Sequence, residues 1–239
     1  MKLHRFIGNF YLSKKEIEII NPEIIRQIKD VLRLEEGDVI ITSNGQGKSA
    51  EVVLVSIAPD KIKCRVEGVE TEEEKGVQVN LYLAILKKEN FELATQKAVE
   101  AGVRSITPII TERTIKTGLN MARLEKIILE ASEQSGRSFV PTLSPTLNFE
   151  NALAFGIASN EKIIFHLGNN LTPSPSPYKG EGTKNIKSSS IFIGPEGGFT
   201  EKEVKMAKDS GYTVASLGPL TLRGETAAII ATYRAVYGV

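Results

Sequence analysis

Ile191-Phe192-Ile193-Gly194-Pro195-Glu196-Gly197-Gly198-Phe199-Thr200-Glu201-Lys202-Glu203 is the stretch whose reading decides the fold. Apolar β-formers lead into a glycine-rich loop, and Thr200, with Glu203 three residues on, makes a capping box that opens a helix. A strand that turns directly into a helix is one step of β/α alternation, which builds a parallel sheet flanked by helices. The same grammar continues on both sides. Val77–Leu86 is a nearly continuous apolar run, as in a strand buried on both faces. Phe91–Ala101 reads as helix and Ser105–Ile110 as strand, while Met121, Leu124, Ile128 and Ala131 share one helical face. Lys162–His166, Ser190–Ile193 and Val214–Leu217 are further predicted strands, and Glu225–Tyr237 is a C-terminal helix. The expected fold class is α/β, with helices on both faces of a parallel sheet.

Before residue 73 the pattern changes. Ile7–Leu12, Glu16–Ile20, Val39–Thr42, Ala50–Ile57 and Lys61–Val69 are short β-prone runs, with turn signals at Asn44-Gly45 and Pro59-Asp60. One helix interrupts them. Asn21 caps it, Pro22 takes its first position, and Ile24, Ile25, Ile28, Val31 and Leu32 follow at helical spacing. Several short strands with one helix suggest a small barrel, of the kind that often binds RNA or oligosaccharide. The charged run Glu70–Gly76 reads as a solvated linker, which predicts two domains, 1–73 and 74–239. Residues 171–185, rich in Pro, Ser and Gly, read as a flexible surface insertion in preference to a docking loop or lid.

Composition narrows the function. The 239 residues are 41% hydrophobic and 25% charged, enough to bury a core without staples. A single cysteine, Cys64, excludes an intramolecular disulfide framework and points to a reducing compartment. Set in a predicted strand between Lys63 and Arg65, that thiol is expected to be inert. With only His4 and His166 beside it, a zinc site of Cys and His is not expected, whereas an all-carboxylate magnesium site stays open. There is no apolar run of membrane-spanning length and no signal-peptide core, so a cytoplasmic chain without a membrane partner is expected. The net charge of +1 supplies no global field for nucleic acid, so RNA binding requires a local patch. Residues 1–33 hold seven basic and four acidic side chains, an excess of three, which suits either phosphate contacts or a solvated face.

Gly45-Gln46-Gly47-Lys48-Ser49 imitates a phosphate loop. Thr42 stands where that motif needs glycine, and strand rather than helix follows, so a hairpin is the better reading. Gly194–Gly198 follows a strand and precedes a capped helix, where ligands of open α/β sheets bind. Its spacing is not the dinucleotide fingerprint, and alone it is as readily a tight turn as a binding loop. Leu217–Ala227 is a second strand-to-helix loop, mixing apolar side chains with Arg223, whose plainer readings are a surface charge or a partner of Glu225. His166 ends a third strand at the same edge, although a lone histidine is more often structural.

These residues together resemble the RsmE family, bacterial small-subunit ribosomal RNA uridine-N3 methyltransferases of the SPOUT class. The carriers are His4-Arg5-Phe6, Val31-Leu32-Arg33-Leu34 with Gly37-Asp38, Lys97–Val103, Thr111-Glu112-Arg113 and Glu133–Arg137. Gly194–Phe199, Leu217-Gly218, Leu222-Arg223 and Glu225-Thr226-Ala227 complete the set. The likeness spans essentially the whole chain outside 171–185. It implies an N-terminal PUA-like β-barrel over 1–73 that helps hold RNA, and a SPOUT α/β domain over 74–239 tied in a trefoil knot. It also implies a cytoplasmic homodimer with the site at the subunit interface, acting on 16S ribosomal RNA within the small subunit.

On that resemblance, S-adenosylmethionine would be held by His166, Leu167, Gly168, Gly194, Glu196, Gly198, Leu217, Gly218, Leu222 and Thr226. RNA would be met by His4, Arg5, Arg33 and Arg137. Arg223 would be catalytic, its guanidinium stabilising the charge that develops on the uracil carbonyls as N3 loses its proton. Glu196 and His166 are candidates to take that proton, with direct loss to water as the other route. The family pattern carries Arg and Thr where this chain has Leu220 and Gly224. Two rival readings are a non-catalytic RNA-binding adaptor with an impaired cofactor site, and a SPOUT enzyme acting on another RNA.

Overall fold

The computed structural model describes residues 3–115, 117–166 and 186–239; the 171–185 insertion lies outside them. The chain divides into two compact units, Met1–Glu74 with Ser132–Val140, and Lys75–Ala131 with Pro141–Val239.

The first unit comprises β1 (Arg5–Ile7), β2 (Glu16–Ile19), α1 (Pro22–Arg26), β3 (Val39–Ser43), β4 (Lys48–Ile57) and β5 (Ile62–Thr71). They form one sheet in the order β1-β3-β4-β5-β2, antiparallel except where β1 pairs with β3. Register shifts between Glu51 and Val52 and between Leu54 and Ser56 bend the long β4–β5 ribbon. Asn21 caps α1 by accepting the Glu23 and Ile24 amides, and Pro22 stands at the first turn. Beyond Arg26 the helix widens into a π turn over Gln27–Val31 and ends in a left-handed Arg33, φ 53°. Phe6, Ile19, Ile28, Ile40, Leu54 and Ile62 fill the core.

Three details depart from the sequence pattern. The first strand stops at Ile7, because the Phe10 amide turns back onto the Gly8 carbonyl at 2.9 Å. The last strand takes in Glu70 and Thr71, which pair with Ser49 and Lys48 and so are not linker. Residues 132–140 also join this unit, where Glu133 accepts the Ile7 amide at 2.8 Å and Val140 donates to the Gly45 carbonyl at 3.0 Å. The β3–β4 connection is the expected hairpin, with Asn44 accepting the Gln46 and Lys48 amides. Its Gly47 has φ 89°, and a Cβ there would lie 2.5 Å from the Phe139 ring and 2.7 Å from the Glu72 carbonyl oxygen.

The second unit runs β6 (Gln78–Ala84), α2 (Lys88–Glu100), β7 (Ser105–Ile110), α3 (Met121–Ser135), β8 (Thr142–Leu143) and β9 (Leu147–Asn148). The last turn of α3 groups with the first unit. It continues α4 (Phe149–Gly156), β10 (Glu161–Phe165), β11 (Ser188–Ile193), α5 (Glu201–Asp209), β12 (Thr213–Ala215) and α6 (Gly224–Tyr237). The sheet order is β12-β10-β11-β6-β7-β8, with β9 beside β7, and every pairing is parallel.

Because strand side chains alternate, each face has its own core. Tyr82, Ala84, Ile164 and Phe192 pack with Phe149 and Leu153 of α4 and Val204 and Ala207 of α5. Tyr82 stacks on Phe192 at 4.4 Å, and Tyr212 meets that phenyl edge-on at 5.1 Å while donating to the Leu153 carbonyl at 2.7 Å. The alternate residues Leu81, Leu83, Ile191 and Ile193 are also fully buried, and α6 packs on β6, β11 and α2. Helices therefore cover the sheet on both faces.

Candidate active site

Parallel pairing brings the carboxyl ends of β10, β11 and β12 side by side, the edge of such a sheet where ligands bind. The described residues at these strand ends line a cleft of about 410 Å³: Phe165, His166, residues 193–198, 216–218 and 220–224, Ala227 and Arg113.

His166 follows β10 directly. Its amide donates to the Ala215 carbonyl at 3.0 Å, which ties the end of β10 to the end of β12. Its Nε2 lies 3.8 Å from Glu201 Oε1. Leu167 and Gly168 lie outside the described residues.

The loop after β11 is held from the β6–β7 side. Glu196 Oε1 accepts the Lys87 amide at 3.2 Å, and Arg113 Nη1 donates to the Gly197 carbonyl at 2.6 Å. Gly198, φ 67°, closes the turn by donating to the Pro195 carbonyl at 2.8 Å. Behind the loop Thr200 and Glu203 form the expected capping box, and buried Glu203 also accepts the Glu112 amide at 2.9 Å.

In the third loop Ser216 Oγ donates to the Gly218 carbonyl at 2.9 Å and accepts its amide at 3.2 Å, holding Gly218 at φ 146°. Arg223 caps α6 without a side-chain hydrogen bond, and its side chain is exposed. Among the described residues no ion pair joins it to Glu225, whose buried carboxylate keeps Oε2 unpartnered. Gly224 packs against Leu86, whose Cδ2 would lie 2.7 Å from a Cβ at that position.

The structure thus brings His166, Gly194, Glu196, Gly198, Leu217, Gly218, Leu222 and Arg223 together. Thr226 stands half-buried on the first turn of α6 and is not among the lining residues. His4, Arg5, Arg33 and Arg137 all belong to the first unit. His4 and Arg33 are exposed there, Arg5 has a buried Nη1 without a partner, and Arg137 Nε donates to the Phe139 carbonyl at 3.1 Å. Arg113 and Ser216 were not anticipated as site residues. Arg113 reaches its partner across 84 positions, which no local pattern encodes.

Phe165, Ile193, Leu217 and Leu222 offer apolar walls suited to a flat ring, and the glycine backbone lets amides and carbonyls approach a ligand. Besides Arg113 and Arg223, Glu196 and His166 are the ionisable side chains among the lining residues. Among the described residues no cluster of three or more His, Cys, Asp or Glu side chains could hold a metal ion.

Residues 73–235 match the RNA methyltransferase domain family. Ribosomal RNA small subunit methyltransferase E of Bacillus subtilis is 30% identical over 236 residues, covering 92% of this chain and 91% of the relative. That of Mesomycoplasma hyopneumoniae is 31% identical over 229 residues, covering 92% and 95%. A Legionella pneumophila methyltransferase solved in complex with S-adenosylmethionine superimposes with a TM-score of 0.85 at 30% identity, over 98% of this chain and 97% of that one. The ribosomal RNA small subunit methyltransferase E of Neisseria gonorrhoeae, also bound to S-adenosylmethionine, gives 0.82 at 27% identity, over 97% and 95%.

Proposed function

The chain belongs to the RNA methyltransferase domain family, among the ribosomal RNA small subunit methyltransferases E, and from that premise we propose that it methylates N3 of a uridine in 16S ribosomal RNA. It is an S-adenosylmethionine-dependent enzyme. The observation that carries the site assignment is the meeting of three strand ends around one cleft, with the Arg223 guanidinium, unpaired among the described residues, on its wall.

The cleft fits that cofactor chemically. Leu217, Leu222 and Ile193 suit the adenine ring, and the backbone of Gly194, Gly198 and Gly218 suits its polar edges and the amino-acid part. Bound there, S-adenosylmethionine supplies an electrophilic methyl group on a sulfonium. Methyl transfer is an in-line displacement, so the chain's main contribution is to hold two reactants in register. Arg113, Lys87 and Ser216 do this indirectly, by fixing the loops that line the cleft.

Arg223 faces the charge that develops on the uracil carbonyls when N3 loses its proton, and among the described residues no carboxylate pairs with it. Glu196 has one oxygen committed to Lys87 and the other free to accept that proton. N3 is hidden in a paired helix, so the target base is unpaired or flipped.

In this reading residues 1–73 form a PUA-like barrel that holds RNA, with His4, Arg5, Arg33 and Arg137 meeting phosphates. Residues 74–239 carry the transfer in a SPOUT domain whose C-terminal segment is knotted. Two cytoplasmic copies pair through α6, which supports this by exposing Ile230, Tyr233 and Tyr237.

The test is transfer of labelled methyl to small ribosomal subunits lacking N3-methyluridine, followed by nucleoside analysis. Labelled N3-methyluridine is expected. A folded protein that binds the subunit and leaves it unlabelled overturns the proposal.

A further inference from the structure

Within the first unit, the turn after β1 lies against the β4–β5 ribbon and forms a groove of about 590 Å³ with it. That is within the roughly 300–1,000 Å³ of small-molecule sites. Its lining includes Tyr11, Lys14, Lys15, Lys48 and Val69. Tyr11 is 75% exposed, so its ring is open to a partner. Lys14 Nζ lies 5.7 Å from the centroid of that ring.

The groove is already rigid. Lys14 N–H donates to the Tyr11 carbonyl at 3.2 Å and Val66 N–H to the Lys15 carbonyl at 2.9 Å, pinning the turn to β5. Asn44 accepts the Lys48 amide at 3.0 Å, which fixes the hairpin from which Lys48 projects. Among the described residues no ion pair engages Lys14, Lys15 or Lys48. The one carboxylate in the lining, Glu67, is held by Arg65 Nε at 2.8 Å. Three cations without ion pairs among the described residues, around an exposed aromatic ring, make the stacking-plus-phosphate chemistry of a single-stranded nucleic-acid site. In a chain whose net charge is +1, they also form the kind of local patch that such binding requires.

We propose that this groove binds an unpaired segment of the RNA substrate, Tyr11 stacking on a base while Lys14, Lys15 and Lys48 meet phosphates. The proposal rests on the ribosomal RNA methyltransferase reading and adds to it a substrate-holding site separate from His4, Arg5, Arg33 and Arg137. It commits to single-stranded RNA because the stacked ring selects bases, whereas an acidic peptide would use the lysines alone.

The experiment measures binding of a fluorescent twelve-residue oligouridylate and of naked small-subunit ribosomal RNA to the full chain across a salt series. Tyr11→Ala, Tyr11→Phe and the triple variant Lys14→Gln, Lys15→Gln, Lys48→Gln are compared with the wild type. Tyr11→Ala is expected to weaken oligouridylate binding about five- to a hundredfold, and Tyr11→Phe to restore it. The triple variant should lower the salt slope by about 2, three lost phosphates at roughly 0.7 each. Affinity for S-adenosylmethionine and the thermal transition, read on the same samples, should not move, which separates lost contacts from lost folding. Unchanged affinity and slope, with methyl transfer intact, overturn the groove and leave the proposed function standing. Groove-dependent binding by a wild type that labels no ribosomal RNA overturns the proposed reaction and leaves the groove standing.

Discussion

In the proposed mechanism the chemistry turns on Arg223, which lines the cleft, is exposed, and among the described residues forms no ion pair. Removing one preorganised donor aimed at developing charge costs about 10²–10³ in kcat. Arg223→Ala should therefore lose that much turnover in single-turnover assays while calorimetry shows cofactor affinity little changed. Full turnover would remove Arg223 from the mechanism. Arg113 acts at one remove, through the Gly197 carbonyl, so Arg113→Ala should raise the KM for S-adenosylmethionine more than it lowers kcat. The two arginines also mark the limit of reading residues from sequence. Arg223 was legible because it sits in a strand-to-helix loop of mixed chemistry. Arg113 was not, because its role exists only once β7 and β11 stand on either side of β6. Cys64 is the opposite case, an inert thiol legible from its place in an alternating strand. It is fully buried in β5, and burial pushes it from 9.0 to about 12. The native thiol should be silent to a disulfide reagent at pH 8 and react as one equivalent in denaturant. Since its folded pKa is raised, the unfolded chain ionises first above pH 9, so this thiol removes stability as pH climbs from 9 towards 12.

Elements whose own side chains carry their pattern were the readable ones. β7 occupies Ser105–Ile110 as its apolar run predicts, and α5 begins at the capping box Thr200–Glu203. That box is reciprocal, so Thr200→Ala should lower stability by about 1 kcal/mol in denaturant titrations. The elements missed were those that borrow their stability. β8 and β9 are two residues each and exist only as partners of β7. The short helix α4 was missed too, although Asn148 caps it by accepting the Asn151 amide at 2.8 Å and Phe149, Ala152, Leu153 and Gly156 recur at helical spacing. The start of α6 shows how a single position joins an element to its neighbour. Gly224 is buried, and a Cβ there would lie 2.7 Å from Leu86 Cδ2, itself 2% exposed. Gly224→Ala overpacks that contact and should cost about 1–3 kcal/mol. Leu86→Ala relieves the clash while leaving its own cavity, so the double variant should be less destabilised than the sum of the singles, by about 0.5–3 kcal/mol. Strict additivity would mean that α6 shifts to absorb the methyl and that the contact does not position Arg223.

For the whole molecule, β/α alternation was enough to foretell a parallel sheet, whose strands put all their carboxyl ends on one side. The excursion of residues 132–140 into the first unit was not foretold, since no hydrophobic period reports which unit the end of a helix joins. What the alternation also leaves unexplained is the outer face of α6. Its inner face buries Ala228, Ala231, Thr232 and Ala235, whereas Ile230, Tyr233 and Tyr237 are 36%, 52% and 56% exposed. The two tyrosine rings lie 4.6 Å apart, so the stripe is one continuous apolar surface at helical spacing. A second copy laid against this stripe would bury it isologously. The full chain should then sediment at about twice 26.1 kDa, and Tyr233→Glu with Tyr237→Glu should shift it to the monomer by placing like charges face to face. Because α6 begins at Arg223, loss of pairing should lower turnover even where the thermal transition is unchanged. A monomeric double variant with full activity would show that each subunit completes its own cleft, and would confine the α6 stripe to assembly.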